Sequence, residues 1–485
     1  MIIDVNDFDY NIIRSLPRIS KKHPGRKGKH EKCYINSINA FDIETSRIPE
    51  IEQSVMYIWQ FQIGLDITVI GRTWYQYMDF IERISRIDKN DTFVIYVHNL
   101  SYEFCFLKGV YDFETDEVFR TEPRKVLKCS MFNNIEYRCS YYLTNLSLDR
   151  FTRQMGVQNR KLSGEKFDYS KIRFPETELT QYEIDYCIND VKGLVQALTK
   201  LFELDHDDII SVPLTSTGYV RRDLRNAMKG YNHKQLQNML PDLEVYYRLE
   251  DRFRGGDTHR NRWLSNRILK NVSSTDRVSS YPDVMLNCLF PMSKFYELPQ
   301  CTMETLKQFI KSGKYALLIR IAFHNISLKS MFDGAVYLSR DKCDHIINGE
   351  YDNGRVLSRD YLETCITSVD LSIILDHYKF TGSNPYKVYY RKYGKLPKML
   401  TDVIMKYYKV KTELKGIPES DPDYIYYCNR KARLNSVYGC LVQSSIKKSI
   451  DFKGGVFTIR DEPARDLLKR SNEKAFLNYR WGVWT

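Results

Sequence analysis

The chain has 485 residues, a mass of 57.5 kDa, 43% hydrophobic and 28% charged residues; this is too long for one core, predicts two or three domains, and excludes wholesale disorder. Seventy-three Lys plus Arg against 61 Asp plus Glu leave a net charge of +12, which suits a polyanionic partner as readily as a solubilising surface. Eleven cysteines without a C-x-x-C pair argue against structural zinc or a disulfide scaffold, and no apolar run reaches membrane-spanning length, so a soluble cytoplasmic protein without a membrane partner is expected. In chain order, residues 1–35 read as a basic N-terminal arm, with Pro24 and Gly25 interrupting the cations from Arg18 to Lys32. Strand patterns at 36–45, 57–70 and 92–98 alternate with helical patterns at 75–87 and 101–110, an α/β signature. Thr180-Gln181-Tyr182-Glu183 is a capping box opening a helix over 181–204, with Ile184, Ile188, Val191, Val195 and Leu198 as its apolar stripe. Pro213 marks a domain boundary, residues 300–395 mix short strands and helices, and a basic helix is expected over 398–415. The acidic loop Glu419-Ser420-Asp421 then precedes a helix over 424–440. Tyrosines interleaved with cations, as in Tyr386-Lys387-Val388-Tyr389-Tyr390-Arg391 and Lys406-Tyr407-Tyr408-Lys409, suit stacking on single-stranded bases.

The first constellation is acidic. Asp42 and Glu44, one residue apart on a strand, share a face and can converge on one cation. Glu103 follows His98-Asn99-Leu100-Ser101-Tyr102 at a strand-to-helix turn, and Tyr186 and Asp190 fall at i and i+4 of the capped helix. Four carboxylates and a tyrosine together would hold two divalent metals about 4 Å apart, with Tyr186 orienting the attacking water. The order D-x-E, N-x-x-Y-E, Y-x-x-x-D resembles the 3′–5′ proofreading exonuclease domain of DNA polymerases, and most closely the protein-primed family-B enzymes of small phages and linear plasmids. Glu103 stands where that family usually has Asp, which implies retained metal binding with altered geometry. The resemblance implies a catalytic lysine in Arg160-Lys161-Leu162-Ser163-Gly164-Glu165-Lys166, with Lys161 preferred to Lys166, and DNA contacts from His98, Asn99 and Tyr102.

The second constellation begins at Asp276-Arg277-Val278-Ser279-Ser280-Tyr281-Pro282. Asp276 and the backbone carbonyl of Arg277 offer oxygen ligands, and Tyr281 would lie under an incoming sugar and exclude a 2′-hydroxyl. Lys431, Asn435 and Tyr438 recur on one helix face, where a cation meets a triphosphate and Tyr438-Gly439 faces the nascent base pair. Both motifs resemble those of family-B polymerases in matching order, and Phe253-Arg254-Gly255-Gly256 resembles the Tyr-x-Gly-Gly hinge, with Phe253 replacing the tyrosine. The resemblance implies DNA contacts from Arg254, Gly255, Gly256, Ser279, Lys409, Lys411 and Gly439, with Mg2+ or Mn2+ at two ions per site and dNTP substrates. It implies an exonuclease domain at 36–212, linker and early palm at 213–290, a terminal-protein-binding insertion at 291–397, fingers at 398–442, and a second insertion with further palm at 443–485.

The family's third polymerase motif, Tyr-x-Asp-Thr-Asp-Ser, does not occur in the sequence, and a palm without a thumb is expected. The expected fold is thus a ribonuclease-H-like α/β domain followed by an incomplete α+β palm with helical fingers. Three readings stand: the N-terminal part of a polymerase completed by a second polypeptide, acting on template and primer DNA with a terminal protein; a stand-alone exonuclease; or a non-catalytic DNA- or terminal-protein-binding remnant.

Overall fold

In the strand β4 (Asn39–Ile48), side chains alternate between two faces, so Phe41 and Ile43 enter one core while Asp42 and Glu44 turn to the other. This strand is central to a ten-stranded sheet, in which the main order is β1-β6-β5-β4-β7-β10-β9-β8. Its members are β1 (Ile2–Asp4), β2 (Arg18–Lys21), β3 (Lys32–Ile35), β4, β5 (Gln53–Ile63), β6 (Ile67–Gly71), β7 (Asp91–Val97), β8 (Val118–Glu122), β9 (Lys125–Met131) and β10 (Ile135–Cys139). The computed structural model describes residues 1–21, 32–122, 125–160, 167–253, 255–256, 258–332, 336–444, 446–447, 449–474 and 484. Two compact units emerge: Met1–Tyr219 with Pro418–Tyr426 and Lys448–Asp461, and Val220–Ile417 with Tyr427–Lys447 and Glu462–Thr485.

In the first unit, the helix Trp74–Ile87 covers one face of the sheet, its Tyr77, Phe80 and Ile81 packing with Phe41, Trp59 and Phe61. The helix Gln181–Asp205 covers the other, burying Val191, Leu194, Val195 and Leu198 against Ala40, Val94 and Tyr96. Its Thr180 capping box is formed in both directions, a feature worth about 1 kcal/mol. Glu183 of that box also accepts from the buried Arg173 at 2.6 Å. Two expectations change here. The stretch 57–70 is two strands, because Gly64 adopts a left-handed φ of +52° and turns the chain between Ile63 and Ile67. The N-terminal segment is not a free arm in its described part: β1 pairs in parallel with β6, and β2 and β3 form an antiparallel pair whose second strand joins β7. Apolar Ile3, Ile13 and Ile35 draw these residues onto the core, and only residues 22–31 lie outside the description.

A hairpin from far down the chain belongs to this unit. Strands Ser449–Lys453 and Val456–Arg460 turn at Gly454-Gly455, whose φ values are +56° and +73°. Phe452 is fully buried against Phe104 and Phe113, and the Arg120 guanidinium lies 3.7 Å from the Phe457 ring centroid.

The second unit is built on a seven-stranded, wholly antiparallel sheet dominated by Tyr315–Leu328, Arg355–Thr367 and Gly382–Gly394. One face carries Leu317, Ile319 and Phe323 against the helices Met303–Ser312 and Ser368–His377. Ala316, Leu318 and Tyr389 belong to a second core with the helices Leu243–Arg252, Lys398–Glu413 and Tyr424–Leu441.

Candidate active sites

The first unit gathers carboxylates. Oxygen atoms of Asp42, Glu44 and Asp190 lie within 4.8 Å of one another, and among the described residues this is the one place where three such ligands meet. Strand alternation presents the first two, and the helix Gln181–Asp205 delivers the third across the sheet. They line a cleft of about 230 Å³ together with Glu103, His98, Asn99 and Tyr102.

Glu103 reaches this cleft through a local backbone device. Asn99 takes φ +77° after β7, a conformation Asn tolerates better than most residues, and so starts the helix Leu100–Leu107 at an angle. Glu103 is buried in the first turn of that helix, and its Oε2 has no hydrogen-bond partner among the described residues. Burial, then the charge of Asp42, pushes its carboxyl well above the usual range. His98 meets Ser140 Oγ at 3.0 Å through Nδ1, and the exposed Tyr102 hydroxyl lies 2.7 Å from Thr45 Oγ1.

Tyr186 is buried one turn before Asp190, its ring 4.5 Å from Phe167 and its hydroxyl 2.8 Å from that of the exposed Tyr169. Burial first, then the Tyr169 contact and the charge of Glu44, raise its pKa. Lys161 and Lys166 lie outside the described residues.

Two neighbours of this site escaped the motif reading. Gln60 donates from Nε2 to Asp42 Oδ2 at 2.9 Å from directly across the β4–β5 register. Its signal was an amide in the apolar run Tyr57-Ile58-Trp59-Gln60-Phe61, and the structure buries it fully. Tyr169 carried no such signal, since nothing in the linear pattern joins it to Tyr186.

The second unit gathers rings and cations. Tyr281 stacks on Tyr438 with centroids 4.2 Å apart and planes at 22°, and Phe253 approaches the same Tyr438 at 5.8 Å. The Tyr281 hydroxyl stands 3.7 Å from where a Cβ on Gly256 would be. Burial, then Tyr281, raises the Tyr438 pKa. Ser279 adopts φ +52° at the head of the helix Ser280–Asn287 and accepts from Lys411 Nζ. The Lys411 pKa is lowered by partial burial and then by Lys431 and Lys415, with Asp276 opposing, so these four charges share one neighbourhood. Lys431 and Asn435 are exposed, and a Cβ on Gly439 would meet open space.

Other expected members are less tightly joined. Asp276 is exposed outside any strand or helix, and Arg277 pairs with Asp283. Lys409 pairs with Glu413 at 3.8 Å. Two residues before Lys411 on a helix, it points about 200° away from that lysine, so the structure does not gather the two lysines together. Gly255 is exposed, and Arg254 lies outside the described residues. No helix of the described residues is long and apolar enough to cross a membrane.

No protein-family model and no curated protein sequence matches the chain. Solved structures do. Phi29 DNA polymerase complexed with primer-template DNA and incoming nucleotide substrates matches with a TM-score of 0.64 at 16% identity, over 93% of this chain and 75% of that one. The same polymerase complexed with single-stranded DNA gives 0.63 at 15% identity, over 92% and 76%, and its orthorhombic crystal form gives 0.60 at 15%, over 93% and 75%. Over nearly its whole length, the chain therefore has the fold of Phi29 DNA polymerase, the protein-primed family-B likeness that its motifs led one to expect.

Proposed function

We propose that the chain is a DNA-acting enzyme of the protein-primed family-B polymerase type whose first unit is a metal-dependent 3′–5′ exonuclease. The observation that carries this reading is the convergence of Asp42, Glu44 and Asp190 oxygens within 4.8 Å, beside the buried Oε2 of Glu103, which has no hydrogen-bond partner among the described residues. An all-carboxylate donor set is that of a hard cation, and so fits Mg2+ or Mn2+. Asp42, Glu44, Glu103 and Asp190 would hold it; when bound, such ions supply an activated water and stabilise a leaving 3′ oxygen. Around them, Gln60 orients Asp42, Tyr186 is held by Tyr169 at the edge of the site, and Asn99 and Tyr102 line the approach for a strand end. Lys161 is assigned to the same reaction.

In the second unit, Tyr281, Tyr438, Lys411, Lys431 and Asn435 are proposed to bind primer-template and an incoming deoxynucleotide, with Asp276 and the Arg277 carbonyl as metal ligands. On this reading residues 36–212 are the exonuclease domain, 213–290 lead into the palm, 291–397 meet a terminal protein and 398–442 are fingers.

The test is degradation of a 5′-labelled single-stranded oligonucleotide with Mg2+ or Mn2+. The reading expects nucleotide-by-nucleotide shortening from the 3′ end, lost in Asp42→Ala and in chelator. Shortening that persists in Asp42→Ala, or none in the unsubstituted protein, overturns it.

A further inference from the structure

Before Asp276 in the chain, the second unit displays aromatic rings and cations around the 3-10 turn Arg262–Leu264. Trp263 is 40% and Phe332 77% exposed, with ring centroids 5.2 Å apart and planes tilted by 37°. The Trp263 indole donates to the Met331 carbonyl at 2.8 Å, and the Arg262 guanidinium lies 4.6 Å from its ring centroid. The indole is therefore held at both its edge and its face, while Phe332 presents an open ring beside it. Residues 258–275 carry four Lys or Arg, namely Arg260, Arg262, Arg267 and Lys270, and no Asp or Glu. Arg260, Arg267 and Lys270 are exposed, and none of the three makes an ion pair with another described residue. Large rings left in water cost free energy unless something covers them. The cations that flank Trp263 in the chain select a polyanion rather than an apolar protein face.

The geometry points to a binding surface for single-stranded DNA at Trp263 and Phe332, where an unstacked base lies on the Phe332 ring and the flanking phosphates meet Arg260, Arg267 and Lys270. Exposed rings take any base, because every base offers a π-face, and interleaved cations follow the backbone. The surface rests on the proposed function only for the identity of the polyanion.

The experiment is fluorescence anisotropy of a labelled oligothymidylate with the full chain, in buffer without divalent ions so that nothing is cleaved. Phe332→Ala and Trp263→Ala should each weaken binding about 5- to 100-fold, with Phe332→Tyr restoring it and Phe332→Leu not. Arg260→Ala with Arg267→Ala should lower the slope of log affinity against log salt by about 1.4. A blunt duplex of the same length should be insensitive to Phe332→Ala. Unchanged oligothymidylate affinity in the ring variants, or equal rescue by Phe332→Leu, overturns the proposal and leaves the surface to a protein partner. If the ring variants lose binding while the protein degrades no 3′ ends, the exonuclease reading fails and this surface stands; degradation with unchanged binding gives the reverse.

Discussion

In the first unit, three carboxylates that meet are delivered by a central strand and a capped helix, each buried along half or more of its length. In the second, the one acidic member, Asp276, sits exposed outside any strand or helix, while Tyr281 and Tyr438 stack and Lys411 reaches Ser279. The contrast teaches that a site's chemistry depends on the frame beneath its charged groups. Carboxylates repel one another, and stay together most readily where the backbone beneath them is fixed. The β4 strand and the Gln181–Asp205 helix provide that constraint, and the segment carrying Asp276 does not. A surface of rings needs less: Tyr281 and Tyr438 attract each other, so their pair forms whatever Asp276 does.

Breaking each frame should separate the two units. The largest effect is expected from Asp42→Ala or Asp190→Ala, which should lower 3′-end degradation about 10³-fold, several kcal/mol of lost Lewis-acid stabilisation, while leaving nucleotide binding in the second unit intact; single-turnover cleavage and a fluorescent dNTP titration check the two halves. Phe452→Ala removes a fully buried ring from between Phe104 and Phe113 and should cost the first unit about 3–5 kcal/mol in denaturant unfolding. Because Phe104 follows Glu103 on one helix, metal-dependent cleavage should fall as well. Tyr438→Ala dissolves the contacts with Tyr281 and Phe253 and should weaken dNTP binding by about 1 kcal/mol or somewhat more, without altering degradation.

The smallest effect sharpens the comparison through pH. Burial opposes charge on Glu183 and on Glu136. Hydrogen bonds from Thr180 and Arg173 to the first, and the charges of Arg138 and Lys128 beside the second, nonetheless hold both at about 2. A lowered folded value stabilises the fold above the unfolded value near 4.5 and loses that contribution as pH falls towards 2. Thermal melts from pH 6 to 2.5 should therefore show Glu136→Gln destabilising at pH 6, with the difference from the unsubstituted protein shrinking in acid. A difference that grows in acid would contradict the assignment.

Much of the first unit was legible because its signals are local. The Thr180–Glu183 box and the stripe from Ile184 to Leu198 lead to a helix over 181–204, observed as Gln181–Asp205, and D-x-E alternation follows from the strand period alone. What was not legible depends on contacts between residues remote in sequence. Nothing in the linear pattern pairs β1 with β6, brings Lys411 to Ser279, or seats Phe452 against Phe104, some 350 residues earlier. Gln60 shows the intermediate case: a buried amide in an apolar strand announces a polar partner without naming Asp42. Asn99 and Ser279 show another, since both take left-handed φ at strand-to-helix or loop-to-helix turns that only the backbone reveals.

Calorimetric titration of Mn2+ into the full chain tests the central claim most directly, with Asp42→Asn as its partner experiment. The account predicts saturable binding in the unsubstituted protein that Asp42→Asn removes from the first unit without lowering its melting temperature. Equal Mn2+ binding by both proteins would contradict it.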